Sequence, residues 1–350
     1  MSEDMFARAL GAHGANPEKL YKALNIALPE RILDFSTNAS VVKWDNLDIN
    51  KLDWLDLASH YPDYECLELR KLIAQREDVN LENILFVNGS NEAFYIIASY
   101  LALANKRVFI LQPAYSEYER ALKSYGAECV DIYDLKQLEN CDSAVFFSNP
   151  CNPTGKYIEP DCLLELIISK PDVLFVVDEA YVDFLLHGDM PKYDFNKLSN
   201  IIVLRSLTKF FHLSGLRIGY VLSPENNINK LKSRQPTWSV NAPAQALALE
   251  FLRDEDFALK SMNFYRHETP RFINSLKSLG FNICDTRTNF FIIDLDNLSD
   301  EEFIIHMLRR GVVVRHTRNF KSLDGRYIRA STRLPDENDI FTAAARELVK

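Results

Sequence analysis

No two of the six cysteines, Cys66, Cys129, Cys141, Cys151, Cys162 and Cys284, form a Cys-x-x-Cys pair, and none clusters with histidine at metal-ligand spacing. No metal site is expected, and the six read as reduced, mostly buried thiols of a cytosolic protein. Basic residues are also short: 40 Lys and Arg stand against 49 Asp and Glu, a formal net charge of -9. A nucleic-acid surface needs clustered Lys and Arg, so the expected partner is a small molecule and not nucleic acid. Long hydrophobic runs are missing. The most lipophilic stretch, Ala93 to Ala104, is interrupted by Tyr95, Ser99 and Tyr100 and falls short of the roughly 20 residues a membrane span requires, which leaves it as a core helix. Met1 to Leu10 carries acidic residues and no apolar h-region, so no signal peptide and no membrane are expected, and the location reads as cytoplasmic. Internal repeats and low-complexity linkers are absent as well.

What the chain does have is a 47% hydrophobic content over 350 residues, ample for one large domain or two ordinary ones. Short apolar runs recur at Ile84 to Val87, Arg107 to Leu111, Ala144 to Phe147, Val173 to Val177 and Ile201 to Leu204. They are continuous and not alternating, as strands buried on both faces are. Helical patterns lie between them at Glu92 to Ala104, Ser116 to Tyr125 and Asp161 to Ser169. This alternation predicts an α/β domain with a mostly parallel sheet, whose ligands sit at the carboxyl ends of the strands. From about Phe251 the texture changes to a long charged helix through Leu279, then Phe290 to Ile293, a helix Asp300 to Arg310, Val312 to Val314, and Tyr327 to Arg329. The expected division is a large domain over residues 36–250 and a smaller α+β domain over 251–350, joined in space by the N-terminal segment 1–35. Val41 to Leu57, with two tryptophans and mixed polarity, has no clear pattern.

The chemistry-bearing motifs all follow apolar runs. Lys209 lies in Arg205-Ser206-Leu207-Thr208-Lys209-Phe210-Phe211, shortly before Gly215-Leu216-Arg217-Ile218-Gly219-Tyr220. A strand end that delivers hydroxyls, a lysine and then an arginine can hold a phosphorylated aldehyde and bond to it, which describes pyridoxal phosphate. A lone lysine after a strand is otherwise a solvated surface group. Asn88-Gly89-Ser90-Asn91-Glu92 supplies backbone N–H groups where a strand turns into a helix; it is equally an ordinary helix cap, and the two roles are compatible. Asp178, after Val173 to Val177, is costly at a buried strand end unless paired, and a protonated pyridine nitrogen or a helix N-terminus would each pair it. Ser148-Asn149-Pro150-Cys151-Asn152-Pro153-Thr154-Gly155 places Asn152 between two Asn-Pro pairs, more than a plain turn needs. Tyr115 stands at a helix start after Arg107 to Leu111, suited to ring stacking or to core packing.

In that order and spacing the motifs resemble those of fold type I pyridoxal-phosphate enzymes, in their aspartate-aminotransferase-like branch, from about Asp34 to the C-terminus. The resemblance implies the PLP-dependent transferase fold, with Lys209 as the covalent anchor and Asp178 on the pyridine nitrogen. Asn152 and Tyr181 would lie on the phenolic oxygen, Tyr115 on the ring face, and Gly89, Ser90, Asn91, Ser206, Thr208 and Arg217 around the phosphate. It also implies a homodimer, with Tyr64 of Tyr61-Pro62-Asp63-Tyr64 reaching the partner subunit's phosphate.

Two related families compete, threonine-phosphate decarboxylase and histidinol-phosphate aminotransferase. Ala12-His13-Gly14-Ala15-Asn16, Asp34-Phe35-Ser36-Thr37-Asn38, Trp238-Ser239-Val240-Asn241-Ala242 and Asn319-Phe320 followed by Leu323-Asp324-Gly325-Arg326-Tyr327 resemble the decarboxylase. That resemblance implies a small phosphorylated amino-acid substrate whose phosphate and carboxylate meet His13, Asn38, Asn152, Arg315 and Arg329. Two arginines are more positive charge than one carboxylate requires; Arg318 and Arg333 read as surface residues. Departures from the decarboxylase pattern are Ala15 for a glycine, Ala39-Ser40-Val41-Val42 after Asn38, and Tyr181, which aminotransferases carry. The expected reaction is decarboxylation of L-threonine O-3-phosphate or L-serine O-phosphate, with transamination of histidinol phosphate as the alternative. A non-catalytic sensor module would need an attached DNA-binding domain, for which the short acidic N-terminus leaves no room.

Overall fold

The computed structural model describes residues 6–7, 9–11, 14–44 and 52–349. Its strands are β1 (Leu33–Asp34), β2 (Ile84–Val87), β3 (Arg107–Leu111), β4 (Cys129–Ile132), β5 (Ser143–Ser148), β6 (Val173–Asp178), β7 (Ile201–Ser206), β8 (Gly219–Leu222), β9 (Asn282–Ile283), β10 (Phe290–Asp294), β11 (Val312–Val313), β12 (Arg315–His316) and β13 (Tyr327–Ser331). Seven of them form one sheet in the order β2-β8-β7-β6-β5-β3-β4. The pairs β4·β3, β3·β5, β5·β6 and β6·β7 are parallel, while β8 runs antiparallel to both β7 and β2. Six strands therefore end at one edge, and β8 begins there.

Period-two alternation divides the apolar runs between two cores. Phe175, Val177, Ile201 and Val203 pack on one face, Leu174, Val176, Ile202 and Leu204 on the other. Each such side chain contributes roughly 1.5–3 kcal/mol of burial, and a one-residue slip would exchange the two faces without exposing either. The ends of the strands, where polar residues begin, set the register. The helix Gly89–Leu103 buries Ala93, Phe94, Ile96, Ile97, Ala98 and Leu101 against the second of these cores, as the apolar stretch predicts. No helix among the described residues is long and apolar enough to cross a membrane.

A third core joins Phe6, Tyr21, Leu33 and Phe35 with Phe272, Phe291, Phe303, Met307 and Phe341. Here β1 pairs in parallel with β11, and a separate sheet runs β12-β13-β10-β9. The N-terminal segment thus has its hydrophobic partners almost 300 residues away.

Two sequence expectations change, and two strands of the large sheet were not anticipated. The single charged helix from Phe251 to Leu279 is two helices, Ala242–Arg253 and Glu255–Lys277, because Asp254 leaves helical geometry and its carboxylate accepts the Phe257 N–H at 2.8 Å as a fresh N-cap. β4 and β8 were not legible as strands: β4 is half-exposed with Asp131 in its middle, and β8 opens on glycine. Of the cysteines only Cys66 is buried, while Cys141 and Cys162 are exposed; all six are free thiols.

Candidate active site

At the shared strand edge a cavity of about 280 Å³ opens between the seven-stranded sheet and the four-stranded one, lined by residues from both. Register explains what it collects. Ser206 pairs with Gly219 and Gly219 with Val87, so the loop after β2, the loop after β7 and the residues before β8 emerge side by side. Asp178 pairs with Ser148, which brings the end of β6 next to the Asn-Pro loop after β5. Ser90, Asn91, Tyr115, Asn152, Asp178, Tyr181, Thr208, Lys209, Arg217, Asn38, Arg315 and Arg329 all line this cavity.

Lys209 sits in the one-turn helix Leu207–Phe210, capped by Ser206, whose Oγ accepts the Thr208 N–H at 3.3 Å and lies 2.7 Å from Thr208 Oγ1. Ser206 itself is 3% exposed and stands behind Thr208, not on the cavity wall. Burial, then the positive charges of Arg329 and Arg217, push the Lys209 amine down to about 8, against the opposing pull of Asp178. A lysine so placed gives up its proton far more readily than a solvated one and is a free amine above about pH 8. Asp178 is 7% exposed, and burial raises its carboxyl to about 6 although Tyr118, the Ala180 N–H and Lys209 all favour the carboxylate. The Tyr118 hydroxyl donates to Asp178 Oδ2 at 2.6 Å and the Ala180 N–H to Oδ1 at 3.1 Å. Of the two pairings the sequence left open for Asp178, the helix N-terminus has no clear place here: only a short 3-10 turn, Val182–Phe184, follows.

Gly89 does not line the cavity itself but packs against Arg217, which does. Gly89 has φ +72°, and a Cβ there would meet Arg217 Nη2 at 2.6 Å. Arg217 holds a left-handed φ of 57° and donates to the Ser214 carbonyl at 3.0 Å. Left-handed backbone at a non-glycine residue is costly and concentrates at functional sites. Gly89→Ala should therefore displace the guanidinium and strain the turn: a loss of about 1–2 kcal/mol in stability and weaker cofactor binding in an absorbance titration. A wild-type titration curve in that variant would mean that Gly89 does not position Arg217.

On the opposite wall lie two buried arginines. Arg329, 6% exposed, donates from Nη1 to Asn152 Oδ1 and from Nη2 to the Ser36 carbonyl, each at 2.6 Å, and its Nε has no partner among the described residues. Arg315, 4% exposed, donates from Nη2 to Asn319 Oδ1 at 2.7 Å and lies over the Phe320 ring at 5.5 Å. Burial pushes both guanidiniums down, Arg315 also through the neighbouring charge of Arg329. Two desolvated cations facing one cavity call for an anionic guest. Asn38 is near enough to the Tyr181 hydroxyl to ease its ionisation, yet makes no hydrogen bond of proper geometry: both of its amide atoms are buried without partners among the described residues. Arg318 and Arg333 are engaged elsewhere, on Asp300 at 2.6 Å and Glu337 at 2.8 Å.

His13 lies outside the described residues, but its neighbours Gly14 and Ala15 line the cavity. Tyr64 does not: it is 60% exposed, on the stretch before the helix Leu67–Glu77. Tyr118, Asn319, Phe320, Ser36 and Thr37 were missed as site residues. Tyr118 had a readable signal, since it follows Tyr115 by three on the helix Ser116–Ser124 and so shares its face; its ring meets Tyr115 edge-on at 5.8 Å. The others depend on chain reversals that bring distant segments together.

The residues present fit pyridoxal phosphate. An amine, a buried carboxyl, an arginine at a helix start and an aromatic ring surround one space, and among the described residues buried polar atoms of three lining residues, Asn38, Asn91 and Arg329, have no hydrogen-bond partner. The family model for aminotransferase class I and II matches residues 56–344. Similarity extends to threonine-phosphate decarboxylase of Salmonella typhimurium (strain LT2), 29% identical over 97% of this chain and 96% of that protein. Histidinol-phosphate aminotransferase of Brachyspira hyodysenteriae is 30% identical over 83% of this chain and 84% of its own. The crystal structure of L-threonine-O-3-phosphate decarboxylase from Porphyromonas gingivalis superposes with a TM-score of 0.80, at 28% identity, covering 91% of this chain and 99% of that one. By fold, by site and by these matches, the chain belongs to the aminotransferase class I and II family.

Proposed function

We propose that this protein is a pyridoxal-phosphate-dependent carboxy-lyase that removes carbon dioxide from an O-phosphorylated L-amino acid, L-threonine O-3-phosphate or L-serine O-phosphate. The observation that carries this reading is the buried pair Arg315 and Arg329 facing the same cavity as Lys209 and Asp178. Two guanidiniums provide one site for a carboxylate and one for a phosphate, which a monoanionic amino acid would leave half empty.

Pyridoxal phosphate, when bound, accepts the electrons left at the α-carbon as one of its bonds breaks. The chain does the rest. Asp178, held by Tyr118, keeps a negative charge available to a protonated ring nitrogen. Ser90, Thr208 and Arg217 hold an anion at the start of the helix Gly89–Leu103, where free N–H groups and the helix dipole favour it. Arg329 and Arg315 grip the substrate at two points and so decide which α-carbon bond is set for cleavage. Lys209, neutral above about pH 8, is placed to take or return a proton.

The aminotransferase reading, with histidinol phosphate as substrate, is favoured by one feature, the Tyr181 hydroxyl beside Asn38 and Arg329 in the cavity. In either reading residues 36–250 form the cofactor-binding unit and residues 1–35 with 251–350 the substrate-side unit. A cytoplasmic homodimer suits the exposed aromatic patch of Tyr61, 81% exposed and 4.7 Å from Trp238, beside Tyr64, which would reach the partner's phosphate site.

The test is incubation of the purified protein with phosphothreonine, phosphoserine, and histidinol phosphate plus 2-oxoglutarate, with products identified by mass. Carbon dioxide and an amino-alcohol phosphate are expected from one of the first two. Stoichiometric conversion of histidinol phosphate and 2-oxoglutarate to the corresponding ketone phosphate and glutamate, with no carbon dioxide from either phosphoamino acid, instead rejects the decarboxylase in favour of the aminotransferase. Phosphothreonine and phosphoserine differ by one methyl, so their kcat/KM values should lie within about 10- to 200-fold of each other.

A further inference from the structure

We infer that Lys321 is a positioning residue: by clamping the loop between β12 and β13 onto the seven-stranded sheet, it holds Asn319 and Phe320 against Arg315 and so sets the anion end of the substrate site. The loop is anchored at two points on either side of those residues. Arg318, on one side, makes a two-pronged contact with Asp300, Nε to Oδ2 at 2.6 Å and Nη2 to Oδ1 at 2.7 Å, within its own unit. Lys321, on the other, crosses to the large sheet, where its Nζ lies 2.8 Å from Asp131 Oδ2 on β4 and 3.1 Å from Glu119 Oε2 on the helix Ser116–Ser124.

Between these anchors, Asn319 Oδ1 accepts from Arg315 Nη2 at 2.7 Å, and the Phe320 ring, 3% exposed, lies under the Arg315 guanidinium at 5.5 Å. Both line the cavity, whereas Lys321 does not. The receiving end is tied to the site as well. Gln112 Nε2 donates to Asp131 Oδ1 at 2.7 Å, and Gln112 Oε1 accepts the Ala114 N–H at 2.9 Å, directly before Tyr115. A single cation therefore links the loop that supports Arg315 with the segment that presents Tyr115. Lys321 is 40% exposed and its two carboxylates about 30%, so the clamp is a modest one. Among the described residues Lys123 also pairs with Glu119 and faces this cluster.

The inference rests on the anion-binding role given to Arg315 in the proposed function, and the experiment separates the two. In the holoenzyme, Lys321→Gln should raise KM about fivefold, with kcat changed less than twofold and cofactor affinity as in wild type. Lys321→Arg should restore KM. The pair Asp131→Asn with Glu119→Gln should reproduce the rise, and adding Lys321→Gln to it should add nothing further, since all three act as one unit. The substrate is whichever of phosphothreonine, phosphoserine or histidinol phosphate with 2-oxoglutarate the wild type consumes, so failure of the decarboxylase assignment leaves this test intact. Amide hydrogen exchange, which needs no substrate, should quicken over residues 317–326 in Lys321→Gln and not in Lys321→Arg. An unchanged KM in Lys321→Gln overturns the inference whatever the exchange shows, as does a fall in kcat at constant KM.

Discussion

Lys209→Ala is expected to abolish turnover, by about 10⁴-fold or more, because no other amine replaces a nucleophile and proton carrier at that position. Lys209 is the lysine among the residues that line the cavity. Borohydride treatment of the wild-type holoenzyme should fix the cofactor to the peptide carrying Lys209, with loss of the absorbance near the visible edge. In the alanine variant neither should occur. A fixed cofactor on another lysine, or residual activity near wild type, would end the assignment. The rate of cofactor capture by the cofactor-free protein should rise with a midpoint near pH 8, where the amine loses its proton, and not near 10.5. A second consequence runs against intuition. With the folded-state value lowered, the ammonium is a handicap below pH 8 that is relieved as pH rises toward 10.5. Removing it should make the cofactor-free protein more stable at pH 7, by about 2 kcal/mol once its partial exposure is allowed for.

Asp178→Asn should cost about 10²- to 10⁴-fold in kcat with far smaller effects on KM, since the amide keeps the shape and removes only the charge. Burial in this site raises the folded-state carboxyl from 3.8 to about 6. The sign is that of a raised acid: the proton stabilises the folded, cofactor-free protein fully below about pH 4, and this contribution is lost as pH rises through 6. Its size is about 3 kcal/mol. The asparagine variant should lack that slope between pH 4 and 6, so the difference between the two stability profiles isolates Asp178 from other carboxyls. Identical profiles would mean that the aspartate is not desolvated. Pyridoxal phosphate then has a role in stability as well as chemistry: a cationic ring nitrogen would add to the weak counter-charge that Lys209 supplies, and cofactor binding should raise Tm most at the pH values where the bare protein is weakest.

Legibility of the site followed the distance over which each contact acts. Asp178 was readable because it abruptly ends a continuous apolar run, Lys209 because Ser206, Thr208 and Arg217 accompany it just beyond another, and Asn152 because two Asn-Pro pairs flank it. Tyr118 was passed over because the pattern of the helix Ser116–Ser124 shows which face is buried and not which carboxylate waits beneath it. The Phe251 to Leu279 pattern read as one helix because helical periodicity survives a single break, while the break itself is a capping contact of one side chain.

Local chemistry in the chain alone determined the mostly parallel sheet, the polar edge where its strands stop and the identity of the groups placed there, since apolar runs and turn residues act within a few positions of themselves. Only the tertiary structure decided that Arg315, Asn38 and Lys209 share one cavity, that Leu33 pairs with Val312, and that Lys321 reaches Asp131. Those partners are separated by some 106 to 279 residues. Nothing in a sequence short of the folded register carries the information about which distant segment arrives beside which.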